Sequence, residues 1–174
     1  RYPLALPGDS VASEDEADFS GAFRVGFNEA ENALYVGVEV KDNSVTVKPP
    51  EGVKLWYNTQ DGCELYIDLH EIGVNRLPTQ LRVWGDERGV EGPGSVEAFQ
   101  VEISRSEKQI TYEWRVDLES LGEGKTRLHA GRSLGFDVSI EDVDADGSSS
   151  WISWSPGAGK WNQNEQIGDM LLVA

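Results

Sequence analysis

Cysteine, basic residues and long apolar runs are all scarce in this chain of 174 residues. The single cysteine, Cys63, excludes an intrachain disulfide, and its place in the alternating run CELYIDL indicates a buried residue rather than a reactive thiol. Only 15 lysines and arginines accompany 31 aspartates and glutamates, for a formal net charge of -16. Nucleic acid and membrane surfaces are therefore not expected as partners, because binding phosphate needs clustered basic residues. Apolar runs of a few residues predict no membrane-spanning helix.

Helical periodicity is also missing, except for a possible short turn at LESLGEG. Alternating runs predict about nine strands: GAFRVGFN, ALYVGVEV, CELYIDL, TQLRVWGD, VEAFQVEIS, KQITYEWRVD, LGFDVSIED, SWISWS and IGDMLLV. We expect an all-β fold, a two-sheet antiparallel β-sandwich of jelly-roll type. The acidic, proline-containing residues 1–20 read as an extended lead-in, and residues 21–174 as one β-sandwich domain.

Polar and aromatic side chains share the faces opposite the predicted core. Alternation turns Glu64 outwards in CELYIDL, and turns Gln80, Arg82 and Trp84 outwards in TQLRVW. Planar rings beside amide and charged groups suit a sugar, which has apolar ring faces and a rim of hydroxyls. The alternative is an ordinary solvated sheet with Arg82 paired to Glu64, and Trp84 either extends the site or lies under the GDERGVEG loop.

The six tryptophans do not all fit a core. Trp114 alternates with apolar residues and is expected inside, while the spacing of Trp151 and Trp154 puts them on opposite faces, so at least one points inwards. Trp161 follows the turn PGAG in the polar run KWNQNEQ, where few apolar neighbours are available. Trp56 lies in a long irregular stretch, DNSVTVKPPEGVKLWYNTQD, whose length and order suggest a functional loop.

Several of these segments together resemble the family 9 carbohydrate-binding modules. The resemblance rests on WYNTQDGCELYIDL, on the strands LYVGVEVKD and TQLRV on either side of it, and on the closing ISWS…W…IGDMLLV. It implies a non-catalytic β-sandwich module that grips a cellulose-like β-glucan, a xylan or a short sugar between two tryptophan faces. The two rings would be Trp56 and Trp161, with Glu64, Arg82 and Gln80 orienting the sugar. The turn PGAGK departs from the family's amide-rich turn, which leaves the sugar preference open.

Two acidic segments are candidate calcium sites. In DVDADG, the carboxylates of Asp142, Asp144 and Asp146 precede a glycine, as in oxygen-ligand calcium loops, although the segment lacks the other features of an EF-hand. Asp42 and Asp61, at the two ends of the long loop, match positions near the metal of the resembled family. That resemblance implies structural calcium. Neither histidine has a cysteine partner at zinc spacing, so zinc is not expected.

Catalysis is not expected, because no nucleophile elbow, phosphate loop or glycosidase carboxylate pair is visible. The remaining alternatives are a structural or adhesive domain, and a sensory or haem-binding domain with Met170, His70 or His129 as axial ligands. We expect a monomeric module of a larger bacterial protein, for example a glycoside hydrolase, that is extracellular or at the cell surface.

Overall fold

A computed structural model of the chain describes residues 2–4, 19–69, 77–121, 126–157, 160 and 162–174. One sheet contains β1 (Tyr2–Pro3), β2 (Phe19–Asn28), β3 (Ala33–Asp42), β7 (Phe99–Ser106) and β8 (Gln109–Asp117). The other contains β4 (Gly62–Asp68), β5 (Thr79–Trp84), β6 (Glu87–Glu91), β9 (Ser133–Val143), β10 (Ser149–Ser153) and β11 (Gly168–Leu171). The strand orders are β1-β2-β3-β8-β7 and β10-β9-β4-β5-β6, with β11 paired to β9. All pairings are antiparallel, which confirms the predicted β-sandwich.

The core lies between the two sheets and follows the alternation of the sequence. In β3 the even-numbered residues Leu34 to Val40 are buried, and in β8 Trp114 is 2% exposed, as predicted. Phe23 of β2 contacts Phe136 of β9 with ring centroids 5.8 Å apart, which joins the sheets. Close approach also explains Gly21, because a Cβ there would lie 2.6 Å from a methyl carbon of Ile140.

The six-stranded sheet is covered on both faces. In β9 every residue after Ser133 is buried, although only alternate residues point into the core. The other set, which includes Asp137, Ser139 and Glu141, is buried on the face that points away from the sandwich interior. We call this the outer face. It is the face on which the alternation in the sequence places Glu64 and Arg82.

Two of the strands were not predicted. β6 carries the sequence ERGVE and pairs with β5 through a turn in which Gly85 has a positive φ of 57°. An edge strand with one apolar residue gives no alternation signal. The two-residue β1 lies in the predicted lead-in and pairs with β2, which begins at Phe19; residues 5–18 lie outside the described part, so the division at residue 20 stays a prediction.

The only α-helix in the described ranges is α1 (Leu118–Leu121), at the predicted turn LESLGEG. No helix among those ranges is long and apolar enough to cross a membrane.

Candidate functional site

The register of the six-stranded sheet assembles the predicted polar residues. Glu64 of β4 lies opposite Arg82 of β5 and opposite Ser139 of β9. Tyr66 and Gln80 form the next pair on the same face. Because directly opposed residues point to the same side of a sheet, these side chains converge on the outer face.

A cavity of about 590 Å³ opens on this face. Its volume lies within the range of small-molecule sites, about 300–1,000 Å³. Five residues selected from the sequence line it, namely Trp56, Glu64, Gln80, Arg82 and Trp84. It is also lined by residues that the sequence analysis did not select: Tyr57, Tyr66, Glu91, Ser139, Glu141, Trp151, Gly157 and Lys160.

Glu64 is the centre of a buried hydrogen-bond network. Its carboxylate accepts a bond of 2.8 Å from Trp84 Nε1 and another from the Tyr66 hydroxyl, which in turn accepts from Gln80 Nε2 at 3.3 Å. Burial raises the pKa of Glu64, while the bonds from Tyr66, Trp84 and Gln80 oppose the rise. The network fixes the carboxylate at the cavity floor, where it is ready to accept further hydrogen bonds.

Trp84 supports the site rather than presenting a free face. It is 8% exposed, with the Arg82 guanidinium carbon 3.8 Å from its ring centroid and the Trp56 ring 6.0 Å away. Arg82 also pairs with Glu91 at 3.6 Å. Gly89 of β6 leaves room for the guanidinium, since a Cβ there would lie 2.4 Å from its Cζ. Trp84 therefore lines the cavity as a largely buried ring, and its part in binding stays a prediction.

The Trp56 side chain is exposed, while hydrogen bonds fix its backbone. Trp56 is 52% exposed, and its neighbour Tyr57 is 46% exposed. The Trp56 carbonyl accepts from Gln60 Nε2 at 2.5 Å, and its N–H donates to Thr59 Oγ1 at 2.9 Å. An anchored, exposed aromatic loses little freedom on meeting a ligand, which favours binding.

Trp161, the second predicted clamp ring, lies outside the described residues. Its sequence neighbour Lys160 is buried and lines the cavity. Lys160 Nζ lies 3.1 Å from an Asp137 carboxylate oxygen, and donates to the carbonyls of Ser155 and Gln166 at 2.5 and 3.0 Å. One ammonium thus links Ser155 and Gln166 to Asp137 of β9. No sequence pattern indicates this buried contact, because a lysine after PGAG is ordinarily a solvated turn residue.

The other tryptophans divide as the spacing predicted. Trp154 packs against the core and contacts Phe23 with centroids 5.6 Å apart, whereas Trp151 lines the cavity on the outer face. Among the haem-ligand alternatives, Met170 packs against the core and His129 is exposed. His70 lies beyond the described part of the chain.

The structure groups the acidic residues of the two predicted calcium sites differently from the sequence analysis. Asp42, Asp61 and Asp142 are buried and offer carboxylate oxygens within 4.8 Å of one another. The sequence had assigned Asp142 to the DVDADG segment, but strand β9 carries it to the ends of the long loop. Asp144 and Asp146 remain in the following turn, where Ser148 Oγ lies 3.2 and 2.5 Å from their carboxylates.

The donor set of this acidic group fits a hard cation. Burial, together with the neighbouring Asp42, raises the pKa of Asp61 to about 7, although backbone N–H groups of Val143 and Thr46 donate to its two oxygens at 3.0 and 2.6 Å. Close, buried carboxylates repel each other, and all-oxygen ligands are those that calcium prefers.

Solved structures of similar fold include a carbohydrate binding module. A structure of a carbohydrate binding module family 9 (CBM9) from Caldicellulosiruptor kristjanssonii in complex with glucose is similar, with a TM-score of 0.76 and 18% identity over 97% of this chain and 83% of that one. The complex with cellotriose gives the same score and identity over 98% and 82%. A protein from Bacteroides uniformis ATCC 8492 has a TM-score of 0.65 and 12% identity, over 98% and 85%.

At these identities the solved structures establish a shared fold. No curated protein matches the chain significantly. The family model described as "Carbohydrate family 9 binding domain-like" matches residues 6–174. The chain therefore belongs to the carbohydrate family 9 binding domain-like family.

Proposed function

We propose that this chain is a non-catalytic module that binds carbohydrate. The observation that carries the proposal is the outer-face cavity, which is lined both by the exposed Trp56 and by the hydrogen-bonded carboxylate of Glu64. The family membership and the glucose and cellotriose complexes of the Caldicellulosiruptor kristjanssonii module support it.

The ligand is a β-glucan or xylan chain, or a short oligosaccharide derived from one. Trp56 and Trp161 stack on the two faces of one sugar ring, and each aromatic contact contributes about 1 kcal/mol beyond the area it buries. Glu64 accepts hydrogen bonds from hydroxyl groups, and Arg82 and Gln80 donate to their oxygens. These buried polar groups disfavour ligands that leave them unpaired.

Calcium binds as a structural ion at Asp42, Asp61 and Asp142. Asp42 and Asp61 bracket residues 43–60, the loop that carries Trp56, and Asp142 belongs to β9. An ion held by the three carboxylates relieves their repulsion and ties the ends of that loop to the sheet.

The module acts as a monomer within a larger bacterial protein, outside the cell or on its surface. Its role there is to hold the parent protein, for example a glycoside hydrolase, at a polysaccharide. The net charge of -16 is compatible with a neutral ligand, because a neutral sugar is not repelled by an acidic protein.

Calorimetric titration with glucose, cellotriose and xylotriose tests the function. We expect the wild-type protein to bind at least one of these sugars, and Trp56→Ala to weaken that affinity tenfold or more. The melting temperature should change little, because the ring is half exposed. Tyr35→Ala is the matched control, since Tyr35 is an exposed strand aromatic of the other sheet. Wild-type protein that binds none of the sugars contradicts the proposal.

A further inference from the structure

The side chains of Asp137 and Lys160 meet in the interior of the protein. Asp137 Oδ2 lies 3.1 Å from Lys160 Nζ, and the two side chains are 0% and 3% exposed. Asp137 belongs to β9, whereas Lys160 lies outside the strands, so the pair connects the sheet to a loop segment. An ion pair of this kind keeps two charges away from water, and a reaction that removes both charges relieves that cost.

The two oxygens of the Asp137 carboxyl group have different partners. Backbone N–H groups of Val138, Trp154 and Ser155 donate to Oδ1 at 2.8, 3.2 and 3.3 Å. Backbone N–H donors directed at one oxygen are the arrangement that stabilises the oxyanion of an acyl-transfer intermediate. Oδ1 is therefore the oxygen that can carry negative charge during attack on the carboxyl carbon.

The other oxygen, Oδ2, faces the amine, and the Ser155 hydroxyl connects the two. Ser155 Oγ donates to Asp137 Oδ2 and accepts from Lys160 Nζ at 3.1 Å. A hydroxyl in this position can pass its own proton to the oxygen while it takes one from the nitrogen. Burial raises the pKa of Asp137, although Lys160 and Ser155 oppose the rise, and a raised pKa favours protonation of the carboxylate.

We propose that Lys160 and Asp137 condense in the folded protein to an isopeptide bond between Nζ and the side-chain carboxyl carbon. This covalent modification is formed by the chain itself and does not depend on the proposed function. It fixes the residue that precedes Trp161 in sequence to strand β9. The structure holds the two groups as an ion pair, which is the reactant of this step.

The reaction needs no other reactant, and its atoms balance. One proton passes from the ammonium through Ser155 Oγ to Oδ2, and the lone pair of the neutral amine attacks the carboxyl carbon while Oδ1 takes the negative charge. A second proton follows the same route, the bond between the carbon and Oδ2 breaks, and that oxygen leaves as water. Two ammonium hydrogens leave in the water and the third stays on the amide nitrogen, so nothing is oxidised or reduced.

Proximity and burial favour the bond. Two groups held in contact react as if one were present at an effective concentration of about 10⁵–10⁸ M. The amide carries no charge, so the condensed state avoids the cost of two buried ions. Lys160 also lines the outer-face cavity, which gives the released water a route to solvent.

Intact-mass spectrometry of the denatured wild-type protein tests the proposal. We expect a mass lower than that of the sequence by one water molecule. Trypsin locates the bond, because Lys160 is the only lysine or arginine after Arg132. An unmodified chain yields the separate peptides 133–160 and 161–174, whereas the condensed chain yields one peptide, 133–174, that is one water lighter.

Lys160→Arg is the matched control, since a guanidinium keeps its charge and does not condense. This variant should have its full sequence mass and be cut by trypsin after residue 160. Ser155→Ala removes the proton relay and should leave a fraction of the folded protein at full mass. Complete condensation in that variant would overturn the role assigned to Ser155.

Two results with the wild-type protein overturn the isopeptide bond itself. One is a mass equal to that of the full sequence. The other is a mass one water lower in a protein that trypsin still cuts after Lys160. In that case the water has been lost elsewhere, for example through a succinimide at Asp146 and Gly147. Sugar binding is unaffected as a conclusion by either result, because the two proposals are measured separately.

Discussion

The Asp61 carboxyl group shows how one residue links charge, burial and stability. Without a cation, burial and Asp42 raise its pKa from 3.8 to about 7 in the folded protein. The unfolded chain keeps the lower value and so binds fewer protons between these pH values. Stability therefore falls as pH rises from about 4 to 7, by no more than about 4 kcal/mol from this group. A bound cation stabilises the ionised form and removes this loss.

Chemical denaturation with and without calcium measures this effect. In chelator-treated protein we expect the free energy of unfolding to decrease from pH 4 to pH 7, and added calcium to raise it at pH 7. Asp61→Asn should show a smaller decrease and no calcium response, which separates Asp61 from the other buried carboxyls. Asp146→Asn, in the exposed turn, is the control and should keep the calcium response of the wild type. A calcium response that survives in Asp61→Asn would contradict the assignment.

Residue-level prediction succeeded where alternation alone decides the outcome. It placed Glu64, Gln80 and Arg82 on one face and Trp114 in the core. It did not reveal that the outer face is itself buried, because an alternating strand looks the same whether its polar face meets water or a covering loop. The alternative of a solvated sheet pairs Arg82 with Glu64, whereas the structure places Arg82 3.6 Å from Glu91 of the unpredicted strand β6.

At the scale of elements, one buried ion pair holds Ser155 and Gln166 beside β9. The Lys160 side chain is 3% exposed and that of Asp137 is fully buried, and Ser155 donates to the same carboxylate. Removing one partner of such a pair leaves the other charge buried, which costs about 3–5 kcal/mol. Because Trp161 follows Lys160 in sequence, we expect the same change to weaken the sugar contact proposed for Trp161.

Lys160→Met tests this role by urea denaturation and sugar titration. We expect a loss of stability of about 3–5 kcal/mol and a weaker affinity for cellotriose. Adding Asp137→Asn should restore part of the stability but not the affinity, because the carbonyls of Ser155 and Gln166 still lack their donor. Lys108→Met, at an exposed turn of the other sheet, is the control. Full sugar affinity in a folded Lys160→Met variant would show that the ion pair does not position the site.

Element order explains the residues that the sequence could not select. Trp151 and Glu141 enter the cavity only because β10 folds back on β9 and β9 lies beside β4. Asp142 joins Asp42 and Asp61 for the same reason. These neighbours are far apart in the chain, and register between strands is set by the packing of the whole sheet rather than by any short motif.

On the scale of the whole molecule, the sandwich supplies a platform, and two segments outside the strands complete the cavity on it. The core between the sheets fixes β4, β5 and β9, and their outer faces hold Glu64, Arg82 and Glu141 in place. The loop with Trp56 and the segment with Lys160 then border the same cavity. Polar groups on strands and an aromatic ring on a hydrogen-bonded loop suit the proposed function, because a preorganised site needs little rearrangement to bind a ligand.

Titration of Trp161→Ala with cellotriose is the most direct test of the central claim, that Trp56 and Trp161 grip one sugar ring. The account predicts that this variant melts like the wild type but binds cellotriose at least tenfold more weakly, as Trp56→Ala does. A folded Trp161→Ala protein with wild-type affinity would contradict it.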